Sequence, residues 1–368
     1  MLVGGAGRTG PARPADWREF LACSARLGRD VSLVQAAGGN SSIKCGEVLW
    51  IKASGTWLAR AEQDQIMVPV DLAGLRARLE AGDLTEAAIP ALTLRTAAGR
   101  AAGETAMRAS VETPFHALFT ARCVLHVHCV ATIAHAIRPD AVARLAAGLA
   151  GIRWQWQPYL KPGLPLTQAL REGGAAGAEV VVLGNHGLIV TADNPAKAYA
   201  RLHEVRARLA VPTPPADVAF RPLGTSLTGS GYQVAPGCGP HALAQDAGLL
   251  SHAGDCALAP DFVVFFGPRI PVLTPGPDLV ARLAVLARQP VPLNSVVIVA
   301  GHGCLIREQA LRGTADLLRG YHLVLEQHRA GGGGRINLLA DDQITELLNW
   351  DAETYRQSLN GLVSGDTT

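Results

Sequence analysis

Val124-Leu125-His126-Val127-His128 is an apolar run that carries two histidines two residues apart. On a strand, residues i and i+2 leave the same face, so this spacing aims two imidazoles at one point that a single metal ion can bridge. Upstream lies Arg108-Ala109-Ser110-Val111-Glu112-Thr113-Pro114-Phe115-His116, with a carboxylate at Glu112. Downstream, the strand-like Val180-Val181-Val182-Leu183 runs into Gly184-Asn185-His186-Gly187. Three imidazoles with an open fourth position are the ligand set of a catalytic divalent metal, usually zinc. His126, His128 and His186 are therefore the expected metal ligands, and Glu112 is a fourth ligand or a base. Read alone, an H-x-H on a buried strand can also be two core histidines, and N-H-G can be a plain turn. It is the three fragments in this order that favour a metal.

The chain has 368 residues, enough for two domains. Hydrophobic residues make up 48% and the formal net charge is +2, so a large core is available and no basic run points to nucleic acid or a lipid surface. The least charged stretch, 289–306, is interrupted by Pro290, Pro292, Asn294 and His302 and reads as a buried strand with loops. The short Gly-rich start has no apolar core of a signal peptide. Seven cysteines without C-x-x-C spacing read as free thiols, which places the protein in a reducing cytoplasm.

Residues 1–14 are expected to be disordered. Asp16 and Glu19 resemble a capping box that starts a helix with Trp17, Phe20, Leu21, Ser24 and Leu27 at helical spacing. Ala37-Gly38-Gly39-Asn40-Ser41-Ser42 is a small-residue loop whose N–H groups can face an anion, or a simple turn before a strand. Leu49 to Lys52 is a strand ending in a second such loop, Ala53-Ser54-Gly55-Thr56. A helix spans Leu72 to Ala81. Ser110 is expected to cap the helix that follows it, with Glu112 at the positive end and His116 holding the carboxylate or a backbone group. Trp154, Trp156 and Tyr159 form a pocket wall, a subunit contact or core. Asn194-Pro195 opens another helix. Residues 211–224 form a proline-rich linker. Beyond it, 225–368 read as a second α/β unit in which Phe262 to Gly267 and Ser295 to Gly303 are buried strands, followed by helices at Asp341 to Leu348 and Asp351 to Leu359. The second strand echoes the first unit: apolar strand, small residue, His302-Gly303, then a helix. This marks a possible degenerate repeat without a second metal.

The set G-G-N-S-S, K-A-S-G, R-A-S-V-E-x-x-x-H, H-V-H and N-H-G, in that order, resembles the class II aldolase/adducin family from residue 17 to about 210. The resemblance implies a three-layer α/β/α domain (residues 15–210) around a central, mainly antiparallel sheet, here followed by a smaller C-terminal α/β domain. It implies zinc, or another divalent metal, on His126, His128 and His186, with Glu112 as acid/base. Asn40, Ser54, Gly55 and Ser110 would hold a substrate phosphate, and the oligomer would be a homotetramer. Where the family often carries Ser-Ser-Glu, this chain has Ser110-Val111-Glu112, one hydroxyl fewer. The stretch from Leu49 to Gly55 is closer to longer members in which a rhamnulose-phosphate aldolase is fused to a dehydrogenase. The C-terminal part nevertheless lacks a G-x-G-x-x-G after a strand. The implied chemistry is retro-aldol cleavage of a sugar phosphate or related hydroxyketone through an enediolate. Epimerase, dehydratase or decarboxylase chemistry, or a non-catalytic adducin-like interaction module, are the alternatives. The expected partner is a small-molecule substrate, with neither nucleic acid nor membrane involved.

Overall fold

The computed structural model describes residues 11–94, 107–213 and 217–361. Seven strands form the larger sheet: β1 (Asn40–Cys45), β2 (Val48–Lys52), β3 (Met67–Asp71), β4 (Cys123–Val127), β5 (Trp154–Gln157), β6 (Val180–Leu183) and β7 (Gly187–Ala192). Their order is β3-β2-β1-β4-β7-β6-β5, antiparallel throughout except for the parallel β5–β6 pair. Side-chain alternation sorts this sheet into two buried faces. On one face Ile43, Trp50, Leu125, Val127 and Val190 pack against α1 (Trp17–Arg29). On the other, Leu49, Ile51 and Val70 meet α2 (Leu72–Ala81). Val124, Val181 and Ile189 on that same face meet α3 (Thr113–Leu118). Next in the chain come α4 (Val130–Ala136), α5 (Ala141–Gly148), α6 (Leu164–Glu172) and α7 (Pro195–Leu209). Of these, α7 lies on the first face with α1, and α6 lies with α3 on the second. The result is three layers, α/β/α.

The C-terminal half is a smaller α/β unit. Its strands are β8 (Tyr232–Val234), β9 (Val272–Leu273), β10 (Val296–Val299) and β11 (Gly303–Arg307), in the order β8-β11-β10-β9. The helices are α8 (Ala242–Gln245), α9 (Ala247–Leu250), α10 (Pro260–Phe266), α11 (Leu279–Leu286), α12 (Thr314–Ala330), α13 (Asp341–Leu348) and α14 (Asp351–Asn360). Its main core, which includes Leu258, Phe262, Phe266, Ile298 and Tyr321, is continuous with Val130, Ile133 and Ile137 around α4, so the two halves share apolar packing.

Several local expectations need correction. Phe262 to Gly267 is not a strand but the end of α10, buried on every side. Aromatic and β-branched residues favour strands, yet a short all-apolar run has no period that separates a buried strand from a buried helix. Pro260 at the first helical position and Asp261 in the first turn were the helix signals. Asp16 does not cap α1; it pairs with Arg122 at the start of β4. Ser110 does not cap α3 either: Glu112 occupies the N-cap position without a capping hydrogen bond. The His186-Gly187 turn leads into β7 before the helix, so that segment is a hairpin. The first ten residues of the expected disordered start lie outside the described residues. Ala12 and Arg13 are ordered against the core: the Ala12 carbonyl accepts from the Trp50 indole at 3.0 Å, and Arg13 lies over Trp17 and Trp50. Asn194 caps α7 as expected, accepting from the Lys197 N–H at 2.9 Å. All seven cysteines are free. No helix of the described residues is long and apolar enough to cross a membrane.

Lys44 on β1 is buried, with its ammonium donating to the Ala121 carbonyl at 2.7 Å. Burial, reinforced by the charge of Arg76, lowers its pKa from 10.5 to about 7. Between these values the unfolded chain binds a proton that the folded chain does not, so this residue makes stability rise with pH from about 7 to 10.5. Urea unfolding of wild type and Lys44→Met across that range should show a steeper rise with pH in the wild type.

Candidate metal and acid–base site

The backbone places the site at the end of the strand pair β4–β7. His126 lies within β4, opposite Asn40 of β1 on one side and Ile189 of β7 on the other. Its side chain leaves the α3 face, where it meets Phe115 edge-on at 5.6 Å. His128 stands one residue beyond the strand. His186 is in the β6–β7 turn, which Asn185 enters with a positive φ of 47°. The next residue, Gly187, passes so close to β4 that a Cβ there would lie 2.4 Å from the Val127 carbonyl oxygen and 3.4 Å from the His128 Cα. That approach brings His186 against the other two. The ring centroids are 5.2 Å apart for His126–His128, 4.8 Å for His126–His186 and 5.3 Å for His128–His186. One ring nitrogen from each lies within 4.8 Å of the other two, and all three residues are buried.

Glu112 faces this cluster. Its Oε1 is 3.5 Å from both His126 Nε2 and His186 Nε2. Neither Glu112 Oε1 nor His126 Nε2 has a hydrogen-bond partner among the described residues, although both are buried. Unpartnered buried polar atoms are costly unless something absent from the protein chain satisfies them. A divalent cation between these atoms fits, because neutral imidazole and carboxylate are its donors.

A hydrogen-bonded chain fixes the other carboxylate oxygen. Asn40 Nδ2 donates to Glu112 Oε2 at 2.6 Å, and Asn40 Oδ1 accepts from His116 Nε2. His116 Nδ1 then accepts from the Ser42 hydroxyl at 2.7 Å. These roles are consistent with a neutral ring, and burial together with His126 and Lys44 holds the His116 pKa well below 6.5. His116 thus acts on the carboxylate through Asn40, not directly. The Ser110 hydroxyl accepts from Asn40 Nδ2 at 3.2 Å and from the Glu112 N–H at 3.3 Å. Asn40 and Ser110 line the cavity with polar atoms directed at Glu112, and Ser54 and Gly55 also line it. Val111 packs on the apolar cluster formed by Ala257, Val263, Leu347 and Trp350. An apolar side chain suits that position because the C-terminal half covers it.

The cavity is about 40 Å³, room for an ion and a few waters. Four charged residues line it that sequence reasoning did not assign to the site. Lys52 at the end of β2 spans two loops, donating to the carbonyls of Ala37 (2.7 Å) and Thr56 (2.9 Å). Burial lowers its pKa to about 7. The other three, Asp261, Glu353 and Arg356, come from α10 and α14, so the cavity is not confined to residues 15–210. Burial opposes ionisation of Asp261, but Arg356 and His128 outweigh it and hold that carboxylate well below its usual range. The sequence signal was an Asp at the start of an apolar run and an Arg one helical turn after Glu353, which without the fold cannot be tied to His128.

The sequence profile described as Class II Aldolase and Adducin N-terminal domain matches residues 18–211. A Bacillus subtilis (strain 168) protein described as an uncharacterized oxidoreductase, YuxG, is 28% identical over 201 residues. The match spans 51% of this chain but only 28% of that protein. Among solved structures, an N-terminal class II aldolase domain from Thermoplasma acidophilum is 23% identical, covering 56% of this chain and 98% of its own, with a TM-score of 0.46. An L-fuculose-1-phosphate aldolase from Thermus thermophilus is 18% identical, covering 52% and 91%, with a TM-score of 0.33.

An ordinary imidazole is half protonated near pH 6.5. Burial pushes the pKa of His126 below that value, against the pull of Glu112, and pushes that of His186 well below it. Ring ¹⁵N NMR of the metal-free protein at pH 6.5 should show both mainly neutral, with their protonation midpoints at lower pH. Midpoints at or above 6.5 would contradict this account.

Proposed function

Because the chain belongs to the class II aldolase and adducin family, we propose that it is a divalent-metal-dependent lyase that breaks a carbon–carbon bond next to a carbonyl in a sugar phosphate or related hydroxyketone. The observation that carries this reading is the buried His126–His128–His186 cluster with the unpartnered Glu112 Oε1 3.5 Å from two of the rings. Zinc is the ion we assign, since three imidazoles with an open position are its usual catalytic set. When bound, such an ion supplies a Lewis acid for a carbonyl and the hydroxyl beside it.

The chain's own residues do the rest. Asn40 holds one oxygen of Glu112, leaving the other aimed at the reacting centre. As the bond breaks, its electron pair passes to the carbon next to the carbonyl, and Glu112 carries the proton to or from the reacting atoms. The Ser54 hydroxyl offers a donor to an anionic group of the substrate, with Lys52 adding positive charge when protonated.

We read the C-terminal half as a degenerate copy of the second part of the family domain. In support, the path β8, helices, β9, α11, β10, β11, α12 follows the same order as β4, helices, β5, α6, β6, β7, α7, with the same pairing senses. His302 stands where His186 stands in the first copy, but it bonds the Arg221 carbonyl at 3.0 Å at a partly exposed turn.

Metal content, turnover, products and phosphate inhibition test the assignment. The purified protein should hold about one divalent ion per chain, largely lost in His126→Ala; Glu112→Gln should keep the ion while turnover falls by about two orders of magnitude or more. Release of an aldehyde or ketone from ketose phosphates identifies the lyase, whereas isomerised, dehydrated or decarboxylated products would replace it with a related chemistry. Inorganic phosphate should inhibit competitively. Ser54→Ala should raise its inhibition constant by roughly one to two decades, the scale of one lost charge-assisted hydrogen bond. An inhibition constant unchanged by the substitution would remove Ser54 from the anion site.

A further inference from the structure

We propose that Asp261, carried by α10 of the C-terminal half, is a positioning residue for the metal centre: its carboxylate sets the ring of His128, and Arg356 of α14 sets Asp261. The proposal rests on the reading of His126, His128 and His186 as metal ligands.

Asp261 Oδ2 lies 3.0 Å from His128 Nδ1, an ion-pair contact outside hydrogen-bond geometry, and both residues are buried. The other oxygen, Oδ1, accepts from Arg356 Nη2. Arg356 Nε in turn is 2.7 Å from Glu353 Oε2, one helical turn back on α14. The loop preceding β1 makes way for this contact. A Cβ at Gly38 would lie 2.6 Å from Asp261 Oδ2 and 2.9 Å from His128 Nδ1, so glycine is what lets the two side chains meet. The same half of the molecule grips the turn that bears His186: Asn185 Nδ2 donates to the carbonyls of Leu258 (3.2 Å) and Asn337 (2.8 Å). Two of the three ligand-bearing segments are therefore held from outside residues 18–211, the part matched to the family.

A histidine ring has two nitrogens, and the partner of one decides what the other does. A carboxylate beside Nδ1 favours the proton on that nitrogen, which leaves the Nε2 lone pair free for an ion. The same contact fixes the plane of the ring and raises its basicity, which is how a carboxylate behind a ligand histidine strengthens a metal site. A neutral Asn at 261 preserves shape but weakens both effects.

The test uses the full chain, stripped of metal and titrated with Zn²⁺ against a chromophoric chelator, and with Co²⁺ followed by its visible absorption. Asp261→Asn should bind Zn²⁺ about 10–100-fold more weakly, the usual range for such partners, and shift or weaken the Co²⁺ bands. In a His128→Ala background the same substitution should cost nothing further, because its effect runs through that ring. Gly38→Ala keeps every charge but wedges the pair apart; it should weaken Zn²⁺ binding in the same direction, and it decides the matter if Asp261→Asn does not fold. Wild-type affinity and an unchanged Co²⁺ spectrum in Asp261→Asn, or in Gly38→Ala should that variant be the one that folds, overturn the positioning role and leave the three-histidine site standing. Wild type that binds neither ion overturns both.

Discussion

The site depends on a backbone contact that leaves no space for a side chain. At the end of β4 the Val127 carbonyl faces Gly187 so closely that any Cβ there would overlap it. This approach is what allows the β6–β7 turn to present His186 beside His126 and His128. The ladder supplies the remaining alignment. Asn40 and His126 are direct cross-strand partners, and direct partners on an antiparallel pair share a face at short range. The carboxylate of Glu112, arriving from the start of α3, is then met by Asn40 on one oxygen and by histidines on the other. Three segments far apart in sequence converge because one sheet holds β1, β4 and β7 side by side.

Charge explains why so many ionisable groups tolerate burial around a small cavity. Glu112, Asp261 and Glu353 bring three carboxyl groups, against which the protein sets Arg356 and Lys52. Burial raises the pKa of Glu353 despite Arg356 beside it, and it lowers that of Lys52. Both shifts reduce the number of charges the interior must carry. Asp261, with Arg356 and His128 beside it, is held ionised despite its burial. A divalent cation among the histidines would add positive charge beside Glu112 Oε1, which has no hydrogen-bond partner among the described residues, and its binding would then be coupled to the stability of the closed site.

Much of this was legible in the sequence, for physical reasons that differ by element. The H-x-H pair could be read because strand period and ligand geometry make the same demand on His126 and His128. The cap of α7 could be read because Asn194 and Pro195 act locally. Asp16 was misread because a long-range partner, Arg122, outcompeted the local cap. The run from Phe262 to Phe266 was misread because burial on all sides erases the period that distinguishes helix from strand. Lys52, Asp261, Glu353 and Arg356 were beyond reach as site residues: nothing near them in sequence says that a strand end and two C-terminal helices close over His128.

The C-terminal half shows how a second unit can become part of a site without bringing a site of its own. Its sheet repeats the strand order of β4 to β7, yet its His302 lies in a partly exposed turn bonded to backbone, and it has no H-x-H partner in the sequence. What it supplies is cover. Tyr321, Phe262 and Phe266 build a core that merges with α4, so the unit is held in place by apolar packing and not by a few surface contacts. Once so fixed, α10 and α14 present charged groups to the cavity from the side the family domain leaves open, and Val111 gains an apolar neighbour in the cluster around Trp350. Val111 against the Trp350 cluster and Asp261 beside His128 are then two contacts of one interface, the packing of the second unit over the histidine face of the first.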